Sequence, residues 1–157
     1  MGEPNILLTR IDNRLIHGQV GITWTMTLGA NLLLVADDET AGNELMQQLM
    51  QATAESAGVG VRFFTLQKTI DIIHKASAKQ KIFIICRTPA DVRTLLENGV
   101  PIKEVNVGNM HFSKGKRQLT KKVYVDDKDM EDLYAIKQAG VNIYIQDVPG
   151  DAKEAIK

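Results

Sequence analysis

The stretch ILLTRIDNRLIHGQVGITWTMTLGANLLLVADD, residues 6–38, decides the architecture. It opens with an apolar run over 6–9 and passes through a polar turn. It continues at helical period over 19–28, then stops at Gly29 before a second apolar run over 32–36. Both runs are apolar at nearly every position, the signature of strands buried on two faces, as in parallel sheets covered by helices. Working outward, the same alternation predicts strands over 61–65, 82–86, 105–107, 123–125 and 141–145. Helices are expected over 44–56, with Leu45, Leu49 and Ala52 on one face, over 67–76, and over 127–139 ahead of Gly140. Another is expected from Thr88-Pro89, an N-cap followed by proline in the first helical position, to Asn98-Gly99. The expectation is one α/β domain over 1–157: a mostly parallel, roughly seven-stranded sheet with helices on both faces, its last strand or two departing from parallel. The tail after Pro149-Gly150 reads as peripheral and frayed.

Composition narrows the function. The chain has 157 residues, 44% hydrophobic and 24% charged, a length that suits one domain. Its 19 basic and 19 acidic side chains cancel, which argues against a protein built to grip nucleic acid. One cysteine allows no internal disulfide and suits a reducing compartment. No apolar run approaches the roughly 20 residues of a spanning helix. The start, MGEPNILL, lacks the basic segment and apolar core of a secretory signal, and Ile6 stands where a myristoylation pattern needs Ser or Thr.

Two connections are rich in chemistry. One leads from the first strand into the first helix, RIDNRLIHGQVG at 10–21; the other is GNMHFSKGKRQLT at 108–120. Long loops, and loops leaving the carboxyl ends of parallel strands, are where ligands gather. In the first, His17-Gly18 falls where the helix begins, and a helix N-terminus offers unpaired N–H groups to an anion. Gly18 lets the backbone approach that anion. An imidazole, which titrates near 6.5 when unperturbed, is a nucleophile at neutral pH. Arg14 can neutralise phosphoryl oxygens with two hydrogen bonds. Asp12 can either fix the tautomer of His17 or orient Arg14, and the sequence does not choose. Phosphoryl transfer asks for little beyond such positioning and charge. The plain alternative is an Asx turn at Asp12-Asn13, a solvated Arg14 and a structural His17.

RIDNRLIHGQVG closely resembles the active-site segment of the IIB components of the mannose–fructose–sorbose family, in the bacterial phosphoenolpyruvate-dependent sugar phosphotransferase system. The likeness extends over essentially the whole chain, including LLLVADD at 32–38, NVGNMHF at 106–112 and IQDVPGD at 145–151. NVGNMHF is most similar to members specific for galactosamine and N-acetylgalactosamine, whereas many mannose and sorbose members have Gly-Gly at Gly108-Asn109. The resemblance implies a phosphocarrier that takes a phosphoryl group from the phosphohistidine of IIA onto His17, at Nδ1. It passes the group to the 6-hydroxyl of a sugar held by the membrane subunits IIC and IID. Arg14 corresponds to the arginine that supports the phosphate and Asp12 to the nearby acid. Asp37, Asn109 and His111 are candidates for the rim. The implied location is cytoplasmic, at the inner membrane through IIC and IID. No cofactor or metal is expected, and a homo-oligomer is left open.

Other readings are weaker. Asp37-Asp38 ends a strand as the acceptor of a receiver-like signalling module would, but an acidic strand end is common turn chemistry. A second alternative is a non-catalytic module that only binds an anion. Cys86 and Arg93 are separated by six residues, one more than a cysteine phosphatase loop requires. His17, His74, His111 and Cys86 show no metal-ligand spacing. Neither a dinucleotide fingerprint nor a P-loop occurs. The basic run Lys114, Lys116, Arg117, Lys121, Lys122 reads as a solvated loop face, or else as a dock for an acidic partner or anionic lipid. Trp24 and Met26 read as core.

Overall fold

The computed structural model describes residues 3–156. The elements, in chain order, are β1 (Asn5–Asp12), α1 (Gly18–Leu28), β2 (Leu32–Ala36), α2 (Asp38–Ala41), α3 (Glu44–Ser56), β3 (Gly60–Phe64), α4 (Leu66–Ile72) with a 3-10 turn (Ile73–Lys75), β4 (Lys81–Cys86), α5 (Pro89–Glu97), β5 (Glu104–Asn109), β6 (Arg117–Thr120), β7 (Val123–Val125), α6 (Asp127–Gln138), β8 (Asn142–Ile145) and β9 (Glu154–Ala155). Seven strands form one sheet in the order β3-β2-β4-β1-β5-β8-β9, parallel except for β9, which pairs antiparallel with β8.

Alternate residues of the central strands feed two separate cores. Leu33, Val35, Phe83 and Ile85 pack with Trp24 of α1 and Met50 and Ala54 of α3. Leu34, Ile82, Ile84 and Cys86 pack with Val92 and Leu95 of α5 and Leu133 and Ile136 of α6. This two-sided burial is why the strands carry apolar residues at nearly every position. Fully burying each such side chain contributes about 1.5–3 kcal/mol.

Several expectations are corrected. The strand at 123–125 lies outside the main sheet, in an antiparallel hairpin with β6. The seventh strand comes instead from the tail, whose Ile156 is buried. The helix expected over 67–76 ends at Ile72 and tightens into the 3-10 turn. In α3 the buried residues are Met50 and Ala54, with Met46 one turn earlier partly buried against them, whereas Leu45 and Leu49 are 68% and 67% exposed. Leu45, Leu49 and Ala52 are as apolar as Met46, Met50 and Ala54, so composition alone does not separate the two stripes. Trp24 is core as expected, but Met26 is exposed. The short α2 was not expected; Asp37, at its N-cap, accepts a hydrogen bond from Thr40 N.

The topology creates a crevice. β1 lies between β4 and β5. The chain leaves β1 into α1 on one face and leaves β4 into α5 on the other. Loops of neighbouring parallel strands therefore diverge at their carboxyl ends, where such sheets hold ligands.

Candidate active site

The loop 13–17 after β1 is shaped by its own residues. Leu15 N donates to Asp12 O at 2.9 Å, closing a tight turn. Leu15 sits at φ +58, the left-handed region, which costs a branched side chain of order 1–3 kcal/mol. Its burial, with that of Ile16, in the core under α1 and α3 holds it there. With these two side chains turned inward, His17 is delivered half-buried to the start of α1. His17 occupies the N-cap in extended conformation, and its ring makes no capping hydrogen bond. The first turn of α1 carries no acidic residue. Neither the His17 ring nor an acidic side chain caps its N–H groups among the described residues, and a helix start with open N–H groups can receive an anion. Gly18 takes φ +44, which disfavours any side chain there.

The ring of His17 has two distinct edges. Nδ1 lies 3.4 Å from Leu15 O, a long contact. Nε2 is covered by protein and has no hydrogen-bond partner among the described residues.

Asp12 does not reach the imidazole. One carboxylate oxygen accepts from Arg14 N at 2.9 Å and from Arg14 Nε at 3.3 Å; the other accepts from Arg10 Nη2 at 3.2 Å. Of the two roles the sequence left open, the geometry supplies the orientation of Arg14. Arg14 keeps about a third of its side chain exposed, while Asp12 has none. Arg10 is the hidden support. It is 3% exposed, donates to Asn106 Oδ1 and to Gln146 O, lies 3.7 Å from Asp147 and stacks 5.3 Å from the Trp24 ring. Burial lowers its pKa from the ordinary arginine value, against the pull of Asp12 and Asp147. Gly108 makes room for it: a Cβ there would lie 2.0 Å from Arg10 Cζ.

The opposite wall is organised by Asn13. Its N–H donates to Asn109 O at 3.1 Å, and its Oδ1 accepts from His111 N. Its Nδ2 donates to Arg87 O, and Arg87 Nη1 returns a bond to Asn13 O, each at 3.3 Å. One side chain thus stitches the loop to the ends of β4 and β5. Asn109 contributes its backbone; its Oδ1 is buried without a partner among the described residues. The His111 side chain is exposed. Asp37 is corrected: it does not line a rim. It is buried and engaged by Arg87 Nη2 at 2.9 Å and Thr40 Oγ1 at 2.6 Å. Burial pushes its carboxyl up, but these hydrogen bonds outweigh that and hold it below the usual range.

The remaining sequence candidates fall away from the crevice or are already engaged. Cys86 is fully buried, and burial pushes its thiol well up, the opposite of a reactive cysteine. Asp38 accepts from Leu66 N at 2.8 Å. In the basic run, Lys116 pairs with Asp129 at 2.9 Å, Arg117 with Asp127 at 3.5 Å, and Lys122 with Asp147. That region is partly the β6–β7 hairpin rather than one long loop. Among the described residues, no three His, Cys, Asp or Glu converge as a metal-binding group. Arg10, Asn13 and Arg87 were missed as site residues. Arg10 and Asn13 stood inside the quoted motif, but their partners lie far along the chain.

The loop after β1 thus carries, at the carboxyl edge of a parallel sheet, an arginine held by a buried carboxylate and, three residues on, a histidine at a helix start without a side-chain cap. The chain belongs to the family described as PTS system sorbose subfamily IIB component, which matches residues 6–157. It is 65% identical over 156 residues, 99% of each chain, to the N-acetylgalactosamine-specific phosphotransferase enzyme IIB component 1 of Escherichia coli (strain K12). The crystal structure of the N-acetylgalactosamine-specific IIB component 1 from Escherichia coli superposes with a TM-score of 0.96, covering 98% of this chain and 100% of that one at 65% identity. The IIB domain of the sorbose permease from Klebsiella pneumoniae follows the same fold, with a TM-score of 0.88 at 31% identity, covering 95% of this chain and 91% of that one. IIB components work with IIA and with membrane IIC and IID partners. Among the described residues, no helix is long and apolar enough to cross a membrane.

Proposed function

We propose that this chain is the phosphocarrier of a sugar phosphotransferase system, with His17 as the residue that is phosphorylated. With the ring proton on Nε2 and Nδ1 unprotonated, the lone pair of Nδ1 attacks the phosphorus of phospho-IIA. One N–P bond forms as the donor N–P bond breaks, and the long contact to Leu15 O gives way. Arg14, aimed by Asp12, neutralises the equatorial oxygens, and N–H groups at Gly18 and the start of α1 donate hydrogen bonds to them. In the second step a sugar hydroxyl oxygen attacks the same phosphorus, the O–P bond forms as the His17 N–P bond breaks, the hydroxyl proton passes to solvent, and the neutral imidazole is regenerated. No nucleotide is needed, because each partner supplies or removes the phosphoryl group itself.

The observation that carries this reading is the Arg14–Asp12 pair on the same short loop that delivers the His17 imidazole to a helix start without a side-chain cap. The assignment of N-acetylgalactosamine as the sugar, held by IIC and IID, rests on likeness to relatives so named, and galactosamine is carried as its alternative from the resemblance of NVGNMHF. The pairing with IIC and IID would hold the chain peripherally at the inner membrane from the cytoplasmic side. The test is discharge of the phosphorylated chain by membranes containing its IIC and IID, with galactosamine, N-acetylgalactosamine or mannose added. Faster discharge with either amino sugar than with mannose supports the reading. Discharge that is indifferent to all three overturns the sugar assignment.

A further inference from the structure

We propose that the free edge of β3, with the apolar pocket beside it, docks an extended acidic segment of a partner protein by strand addition. This surface is separate from His17, and the proposal stands or falls independently of the phosphocarrier reading.

Three features converge there. First, β3 is an end strand, paired only with β2. Gly60 N donates inward to Asn31 O at 3.2 Å, and Phe64 O accepts inward from Asp37 N at 3.0 Å. In a parallel ladder successive residues alternate direction, so Val61 and Phe63 turn their N–H and C=O groups outward. Among the described residues, the Val61 carbonyl accepts a hydrogen bond from the guanidinium of Arg62 at 3.0 Å and from no backbone N–H. Second, a pocket of about 300 Å³ opens against the same strand, lined by Leu34, Phe64, Ile73 and Ile82. That volume takes one or two apolar side chains, and it lies at the lower end of ligand pockets. Third, the mouth is cationic. Arg62 and Lys75 line the pocket and have no carboxylate partner among the described residues. Lys68 Nζ stands 4.6 Å over the Phe64 ring.

The charge selects the occupant. A second copy paired edge to edge would set Arg62, Lys68 and Lys75 near their own counterparts, and like charges across a strand pair destabilise it. A segment with carboxylates flanking an apolar residue satisfies every group. Its backbone pairs with Val61 and Phe63, its apolar side chain fills the pocket, and its acids draw Arg62 and Lys75. Strand addition of this kind takes affinity from main-chain bonds and specificity from alternate side chains. Because the pocket reaches the amino-terminal ends of β2 and β4, a partner held there leaves the crevice at the carboxyl ends free.

The probe is the peptide acetyl-Thr-Glu-Thr-Leu-Thr-Glu-Thr-amide, whose Glu and Leu residues share one face. Titrated into the full chain, it is expected to shift backbone amide NMR signals of residues 60–64 and 69–76, and to leave those of 13–18 unmoved. Arg62→Glu with Lys75→Glu, both exposed and checked for folding by circular dichroism, should weaken binding roughly tenfold. The matching peptide with Lys for Glu should then regain it. N-methylation at alternate positions should abolish binding in one register and spare it in the other. Three results overturn the proposal. One is no shift at the edge, which would leave the cations as guards against aggregation. Another is equal tolerance of both N-methylated peptides. The third is saturable binding of decanoate in the pocket with none of the peptide, which would make it a site for a small amphiphilic carboxylate.

Discussion

Gly108→Ala tests the buried support of the site. The added methyl would lie 2.0 Å from Arg10 Cζ, 2.1 Å from Nη2 and 2.5 Å from Nη1, distances no packed atoms tolerate. The guanidinium cannot swing aside cheaply, because Asp12, Asn106, Gln146 and the Trp24 ring hold it on several sides. Displacing it strands Asp12, which has no exposed surface and keeps only Arg14. Removing one member of a buried ion pair costs about 3–5 kcal/mol. For a domain of this length that lowers Tm by roughly 6–20 °C. Urea unfolding measures it, and the same protein, assayed below its melting range, should accept a phosphoryl group more slowly because Asp12 no longer aims Arg14. In an Arg10→Met background the obstruction is gone, so the same glycine change should cost about 1 kcal/mol or less, a coupling a double-mutant cycle exposes. A Gly108→Ala protein within about 1 kcal/mol of the parent would refute the claim that this glycine exists to admit Arg10.

Arg14→Ala should slow phosphoryl acceptance by about 10²–10³. Its stability should change by no more than about 1 kcal/mol, since its side chain is partly exposed and Asp12 retains Arg10. Rapid-quench transfer and urea melts check the pair. Asn13→Ala removes the side-chain bonds to Arg87 O and His111 N, so it should cost about 1–3 kcal/mol and broaden the NMR signals of residues 13–18. Asp91→Asn addresses pH. Burial, then the charge of Asp37, raises the Asp91 carboxyl to about 6, so the folded state holds this proton more tightly than the unfolded chain. Its contribution is therefore fullest below pH 4 and is lost as pH rises toward 6. The Asn variant should be more stable above pH 6, by about 1–2 kcal/mol after discounting solvent screening, with a flatter profile between pH 4 and 6. Asp37, whose carboxyl is held low, runs the other way and loses its contribution as pH falls, so only the difference between variant and parent isolates Asp91.

What the sequence disclosed follows from how local each cause is. The βαβ alternation, the Thr88-Pro89 start and the glycine stops are written in neighbouring residues, and the sheet follows them. The β9 strand was not legible. Glu154-Ala155 carries no strand pattern; it is held by pairing with β8 and by the burial of Ile156. β7 has strand composition but completes a hairpin instead of the sheet, because Val123 pairs with Thr120. At the site, His17 and Gly18 were visible from the helix start. The role of Asp12 was not, because it depends on Arg10, whose own partners Asn106, Gln146 and Asp147 lie far along the chain. Asn13 likewise read as a turn former; its partners Arg87, Asn109 and His111 come from two other strand ends.

The central claim is that His17 carries the phosphoryl group. Incubated with phosphorylated IIA, the intact chain should gain the mass of one phosphoryl group, lost on brief acid treatment and stable in base, and absent from a folded His17→Ala protein. A gain that persists in His17→Ala, or that resists acid, would contradict it.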